Sequence, residues 1–350
     1  MKERFYKSNY FRKKEKKDFT LNYNSSFADI PKNALIELSN GCNHACVFCY
    51  NPEMTRKTMH LNMDTYKEFI RKAVDEGVVE VGLYSTGEPF MTKNLSDYIE
   101  FAKDTGIKRV YITTNGALAN LEKFKKCINA GLDSIKFSIN AGSKETYKTI
   151  HGYDDFEKVI NNVKSLYEYK KKYNKAIQIM CSFVYTDLTY KEIDDFKEKY
   201  GKYFEDMFFQ KSINQGGRTL KSDILTKAIN KDNPVEKKNF KPCAMVWNRL
   251  HFSAEGYMTA CCVDYENDLV YEKFDKNKKL INQFNNKKIT ELREKHLNNN
   301  LDGTICKNCL YNCEEDYERL FDVKTAKMPI NKKKNDSLKL RISEVTSSNK

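Results

Sequence analysis

The sequence predicts an α/β fold in which parallel strands alternate with covering helices, and three observations predict it. Apolar runs of strand length are each followed by a stretch with helical spacing, and the pair recurs along the first two thirds of the chain. A Gly-rich or polar segment also follows most of the runs. Such alternation gives a parallel sheet with helices outside, either open and doubly wound or curled into a barrel. Periodicity alone does not separate the two.

The elements follow in order. "ALIEL" (34–38) is a first strand, and "DTYKEFIRKAVDEG" (64–77) then sets Tyr66, Phe69, Ile70, Ala73 and Val74 on one helical face before a stop glycine. "VVEVGLYS" (78–85) precedes the helix "LSDYIEFAKDTG" (95–106), and "RVYITT" (109–114) precedes "LEKFKKCINAG" (121–131). "SIKFSI" (134–139) precedes "DDFEKVINNVKSLYEYKKK" (154–172), "AIQIMCSFV" (176–184) precedes "YKEIDDFKEKYGKYF" (190–204), and "MFFQKSI" (207–213) ends the series. In either architecture the working surface lies at the carboxyl ends of the strands. A cysteine loop, "STGEP" (85–89), "TTNG" (113–116), "SINAG" (138–142) and "NQGGR" (214–218) all fall there. On "SIKFSIN", alternation puts Lys136, Ser138 and Asn140 on one face, toward a barrel interior, and Ile135, Phe137 and Ile139 on the other.

Composition narrows the function classes. With 350 residues, 40% of them apolar, the chain supports one large domain and a smaller one. No run reaches the roughly 18 apolar residues of a membrane span, and the amino terminus is charged where a signal peptide would be apolar, so a cytoplasmic protein without membrane contact is expected. In that reducing compartment the 11 cysteines point to metal or redox chemistry rather than disulfides. The net charge of +13 is concentrated in "RKKEKK" (12–17) and "NKKKN" (331–335), which reads as solvated tails rather than a nucleic-acid surface.

The stretch "ELSNGCNHACVFCYNPE" (37–53) places Cys42, Cys46 and Cys49 inside eight residues. Three ligands on one loop cannot close a tetrahedral zinc site, and the C-x3-C-x2-C spacing differs from the paired C-x2-C of zinc ribbons. The triplet suits three corners of an iron–sulfur cube, leaving one iron for an outside ligand. These cysteines, with Phe48 between the last two, resemble the signature of the radical SAM superfamily. The resemblance implies a partial (β/α)6 TIM-like barrel and a [4Fe-4S] cluster on Cys42, Cys46 and Cys49. It further implies S-adenosyl-L-methionine on the open iron, with cofactor-binding roles for Phe48, for Gly87 and Glu88 in "TGEP", and for Asn115, Ser138 and Asn140. Thr86 departs from the glycine commoner at its position. Arg218 is placed to reach a bound anion or the methionine carboxylate, or else makes a surface salt bridge.

A second cysteine group lies beyond a polar linker and comprises Cys243, Cys261, Cys262, Cys306, Cys309 and Cys313. Six thiols on so short a segment suggest a metal-stapled subdomain, with "AMVWNRLHFSAEGYMTA" as a hairpin turning at "SAEG" and a helix before the C-x2-C. The segment resembles the twitch and SPASM domains appended to many radical SAM barrels, which implies one auxiliary [4Fe-4S] cluster, with a structural zinc as the bland alternative. Cys243, Cys261, Cys306 and Cys309 are the expected ligands; Cys262, next to Cys261 on a strand, should point away, and Cys313 is an alternate. Cys127 and Cys181 read as core residues, His44 as shaping the cluster loop, and His60, His151 and His251 as having no partner visible in sequence. The expected organisation is a basic extension (1–32), the barrel (33–218), a linker (219–242), a small α+β Cys-rich auxiliary domain (243–325) and a Lys-rich disordered tail (326–350).

The family likeness implies reductive cleavage of S-adenosyl-L-methionine to a 5′-deoxyadenosyl radical, which abstracts hydrogen from a substrate. The expected substrate is a small polar molecule, a sugar, aminocyclitol or nucleotide-linked sugar, and the outcome oxidation or epimerisation, with flavodoxin or ferredoxin as electron donor. Two other readings are a SPASM-type peptide maturase, for which the 32 residues before "NALIEL" look too few to hold a leader-binding module, and a non-catalytic metal-binding module associated with RNA. The second of these gives no reason for five polar segments on one rim.

Overall fold

The computed structural model describes residues 25–215, 218, 225–232, 242–311, 319–321, 323, 327–328 and 332–347. The strands are β1 (Asn33–Ile36), β2 (Glu80–Gly82), β3 (Arg109–Thr114), β4 (Ser134–Ser138), β5 (Gln178–Tyr185), β6 (Asp206–Lys211), β7 (Leu250–Phe252), β8 (Tyr257–Thr259) and β9 (Val270–Lys273). The α-helices are α1 (Met63–Asp75), α2 (Leu95–Thr105), α3 (Leu121–Asn129), α4 (Lys144–His151), α5 (Phe156–Lys172), α6 (Ile193–Tyr200), α7 (Lys227–Asp232), α8 (Met245–Asn248), α9 (Leu280–Phe284), α10 (Lys287–Leu297), α11 (Ile305–Tyr311) and α12 (Lys332–Ser347).

Among the described residues one sheet carries nine strands in the order β6-β5-β4-β3-β2-β1-β7-β8-β9. The first six pair in parallel, as the strand and helix alternation predicts, and the sheet stays open with β6 and β9 at its edges. β1 is the pivot: Asn33–Leu35 pair with β2 on one side, and Ala34–Ile36 pair in parallel with β7 on the other. β7 and β8 form the expected antiparallel hairpin, turning through Ser253–Gly256 with the Gly256 N–H donating to the Ser253 carbonyl. The Cys-rich segment therefore continues the barrel sheet instead of packing on it as a separate layer.

Helix faces match the spacing that predicted them. Tyr66, Phe69, Ile70 and Ala73 of α1 are buried, and Asn62 caps the helix by accepting from the Asp64 and Thr65 N–H groups. Ile135 and Phe137 of β4 and Ile139 just after it are fully buried, with Phe137 edge-on to Phe124 of α3. Cys127 and Cys181 are buried core residues.

Four features differ from expectation. Helix α4 was not anticipated, although Ser143 and Thr146 form a capping box and Tyr147, Ile150 and His151 bury one face before Gly152. Cys306 and Cys309 lie on α11 itself rather than after a helix. β8 ends at Thr259, so Cys261 and Cys262 occupy a turn and strand alternation does not separate them. Residues 332–347 of the expected disordered tail form α12, because Leu338, Arg341 and Val345 recur at helical spacing and are buried. Cys313, residues 1–24 and most of the expected linker lie outside the described residues. Among the described residues no helix is long and apolar enough to cross a membrane.

Candidate functional site

β1 delivers the chain into the cysteine loop at one end of the sheet, and neighbouring segments pin that loop from several sides. The Ala45 and Val47 N–H groups donate to the carbonyls of His151 (3.0 Å) and Ile150 (2.9 Å) in the last turn of α4. The Asn51 amide donates to the carbonyls of Asn40 (2.8 Å) and Thr86 (2.9 Å), tying the loop to the "STGEP" segment. Phe48 packs on a small apolar cluster that includes Val47, Ile150 and Leu338.

The three cysteines are half-buried, and each sulfur has a polar neighbour. Cys46 Sγ lies 3.4 Å from His151 Nδ1, Cys49 Sγ lies 3.4 Å from the Tyr265 hydroxyl, and Cys42 Sγ lies 3.9 Å from Asn115 Nδ2. Burial pushes the Cys46 thiol well up, and the neighbouring charges of Cys49 and Cys42 push it further. Three thiolates this close repel one another, so holding all three ionised requires a positive centre among them.

The "STGEP" segment lies against the backbone of the loop. A Cβ on Gly87 would sit 2.3 Å from the Ser39 carbonyl oxygen and 2.5 Å from that of Gly41, so only glycine permits this approach. The Glu88 N–H donates to the Gly41 carbonyl at 2.8 Å. The Glu88 carboxylate accepts from the Thr114 hydroxyl (2.6 Å), Asn115 N–H (2.8 Å) and Phe90 N–H (3.1 Å), and burial pushes it up to about 7. Glu88 thereby fixes the end of β3, which presents Asn115 to Asn43 (2.9 Å) in the cysteine loop.

The other expected cofactor residues lie on the same end of the sheet with protein partners. Ser138 and Ser182 hydroxyls are 3.0 Å apart. Asn140, at φ +61°, accepts from the Val184 N–H at 2.8 Å and places its amide 3.3 Å from His151 Nε2. Arg218 forms an ion pair with buried Asp268, and its guanidinium stands 5.6 Å from the Tyr50 ring centre. Arg218 is thus a salt-bridge residue in this structure, paired inside the protein rather than at the surface.

His151 was invisible as a site residue in sequence because its neighbours come from two other segments. Its Nε2 donates to the Ile139 carbonyl at 2.7 Å, which turns Nδ1 toward Cys46 and toward His44 Nδ1 at 3.1 Å. His44 Nε2 in turn lies 3.1 Å from the Asp155 carboxylate. Burial pushes both imidazoles toward the neutral form. The donor atoms of His44, Cys46 and His151 lie within 4.8 Å of one another.

The second thiol group draws on the segments before β7 and after β8 and on α11. Cys243 feels the charges of Cys309 and Cys262, Cys306 those of Cys243 and Cys309, and Cys261 those of Cys262 and Cys243. Burial pushes Cys243 up to about 11 and raises Cys306 further. Of the adjacent pair, donation from the Cys261 thiol favours Cys262 as the thiolate, and buried His251 adds to this. Cys262 thus belongs to the group that sequence alternation would have turned it away from.

A buried ionic seam joins the two regions. Arg56 donates from Nη2 to Glu37 (2.5 Å) at the end of β1, and binds Glu255 of the hairpin turn through two bonds of 2.8 and 2.6 Å. Thr86 and the Ala254 N–H also donate to Glu37. Burial alone would raise Glu37, but Arg56 outweighs it and holds the carboxyl below its ordinary range.

Comparison with known proteins agrees with this geometry. Residues 36–197 match the model of the radical SAM superfamily. An uncharacterised protein of Methanocaldococcus jannaschii is 35% identical over 146 residues, 41% of this chain and 46% of that one. A probable GTP 3′,8-cyclase of Metallosphaera sedula is 28% identical over 223 residues (59% and 67%), and one of Sulfurisphaera tokodaii 31% identical over 129 residues (37% and 41%). The chain thus spans between about two fifths and two thirds of the length of these curated relatives. Among solved structures, the fold is similar to BtrN in complex with AdoMet and 2-DOIA (TM-score 0.53, 17% identity, 83% of this chain and 98% of that one). It is also similar to Streptococcus suis SuiB bound to S-adenosylmethionine (TM-score 0.57, 14% identity, 82% and 74%).

Proposed function

We propose that this chain is a radical SAM enzyme acting on a small polar substrate, with one cluster on Cys42, Cys46 and Cys49 and a second on Cys243, Cys261, Cys306 and Cys309. The observation that carries the reading is the cysteine loop itself: three mutually repelling thiols on one segment, with Gly87 pressed against its backbone. This donor set suits a [4Fe-4S] cube with one open iron better than a closed tetrahedral ion. When bound, the cluster and S-adenosyl-L-methionine supply a 5′-deoxyadenosyl radical for hydrogen abstraction.

The chain's own residues supply position and dryness. Gly87 and Glu88 hold the rim of β2 and β3 against the loop, Asn115 reaches the loop beside Cys42, and Ser138, Ser182 and Asn140 line the polar side of the neighbouring strands. Tyr265 reaches Cys49 from the segment that carries Cys261 and Cys262, and the Ser85 hydroxyl donates to the Cys262 carbonyl, so that segment adjoins the cysteine loop and the "STGEP" rim. This adjacency supports oxidation of a substrate radical by an auxiliary cluster, with a sugar, aminocyclitol or nucleotide-linked sugar as substrate and a flavodoxin or ferredoxin as donor. The probable GTP 3′,8-cyclases among the relatives favour a nucleotide as the second reading of the substrate.

The test separates the two thiol groups. Anaerobically reconstituted protein should carry about eight irons, about four for each cube. Cys306→Ala should keep 5′-deoxyadenosine release while product formation falls at least about tenfold. A preparation with one cluster and one zinc, or full product formation by a folded Cys306→Ala protein, would contradict the assigned auxiliary cluster.

A further inference from the structure

We propose that α12 is a clasp on the cysteine loop, with Arg341 as the positioning residue that holds the backbone beside Cys46 and raises the potential of the cluster there. The inference rests on the reading that Cys42, Cys46 and Cys49 hold a cluster. It concerns a helix that neither the cysteine motif nor the strand and helix repeat contains.

Three contacts point to it, one through the apolar stripe of the helix and two through Arg341. Leu338 and Val345 of α12 are buried in one apolar cluster with Val47 of the loop and Ile150 of α4, so the helix is seated on the loop by its apolar stripe. Arg341 donates from Nη2 to the Ala45 carbonyl (2.8 Å) and from Nη1 to the Thr149 carbonyl (3.1 Å). Gly152 ends α4 at φ +80°, and a Cβ there would lie 2.8 Å from the Arg341 guanidinium, so glycine also leaves the room that the arginine fills.

The combination is specific in what it fixes. Ala45 stands between His44 and Cys46, and both of its backbone polar groups are engaged: the N–H by the His151 carbonyl and the C=O by Arg341. Arg341 therefore closes a clamp whose other jaw is the last turn of α4. Its charge is also favourable at that helix end, where the last carbonyls have no partner within the helix and the dipole is negative. A fixed positive charge one residue from a cluster ligand favours the more electron-rich reduced cluster, because a nearby cation offsets the added electron.

The experiment uses the full reconstituted chain with Arg341→Gln, Arg341→Lys and Leu338→Ala. It measures iron transfer to a ferrous chelator and an EPR-monitored redox titration of the signal that responds to S-adenosyl-L-methionine. Arg341→Gln should lose the triplet iron about tenfold faster, the cost of one charged hydrogen bond, and titrate at a more negative potential. Arg341→Lys should restore most of the potential but not the retention, since lysine keeps the charge and lacks the two-pronged fork. Leu338→Ala, which leaves Arg341 in place, should speed iron loss with little change in potential, and it decides the clasp if Arg341→Gln does not fold. Wild-type rates and potentials in the variants would overturn the proposal. A wild-type protein that takes up no cluster on the triplet would instead overturn the functional reading beneath it.

Discussion

The two cysteine groups are built in opposite ways. Cys42, Cys46 and Cys49 come from one loop whose backbone is then gripped by α4, Gly87, Asn51 and Arg341. Cys243, Cys261, Cys262, Cys306 and Cys309 come from three separated segments that only the fold brings together. A local ligand set needs bracing to keep its geometry, whereas a dispersed set is positioned by the same contacts that hold its segments in the fold. Substitutions around the first group should therefore change the site before the fold, and substitutions at the joint with the second should change the fold first.

The joint should give the largest effect. Arg56→Met leaves the buried carboxylates of Glu37 and Glu255 without their cation, a loss of about 3–5 kcal/mol in chemical denaturation. An unchanged midpoint would show that the hairpin and β1 are not held by this seam. Next, Gly87→Ala forces a methyl into the Ser39 and Gly41 carbonyls. It should cost up to about 3 kcal/mol and, more tellingly, lower iron bound at the triplet while sparing that at the second group. Equal loss from both groups would erase the distinction between them.

The smallest effect is a pH slope. Burial raises Glu88 from 4.5 to about 7, so the folded chain binds that proton more tightly than the unfolded chain. The resulting stability is present in full below about pH 4.5 and is lost as pH rises through about 7, roughly 2 kcal/mol between pH 5 and 7. Glu88→Gln should flatten that part of the curve in denaturant titrations at the two pH values. A parallel curve would mean that the three donors around Glu88 keep it ionised.

The sequence carried the α/β class, the six parallel strands and the hairpin at "SAEG", because apolar periodicity and turn chemistry are local properties. It carried the cysteine triplet for the same reason. It did not carry the pairing of β7 with β1, which joins residues more than two hundred positions apart, nor the neighbours of His151, which come from Ile139, His44 and Cys46. Helix α12 was hidden by its lysines: "NKKKN" reads as solvated, and the stripe of Leu338, Arg341 and Val345 begins only after it. The ion-pair partner of Arg218 was hidden for the same reason as the neighbours of His151, since Asp268 lies fifty positions away.

The most direct test of the central claim is 5′-deoxyadenosine release from S-adenosyl-L-methionine by reduced, reconstituted protein, with and without the triplet. Wild type should release it, and a Cys42→Ala, Cys46→Ala, Cys49→Ala protein that keeps about half its iron on the second group should release none. Release that survives loss of the three thiols, or a fully loaded wild type that releases none, would contradict the assignment of the open cluster to this loop.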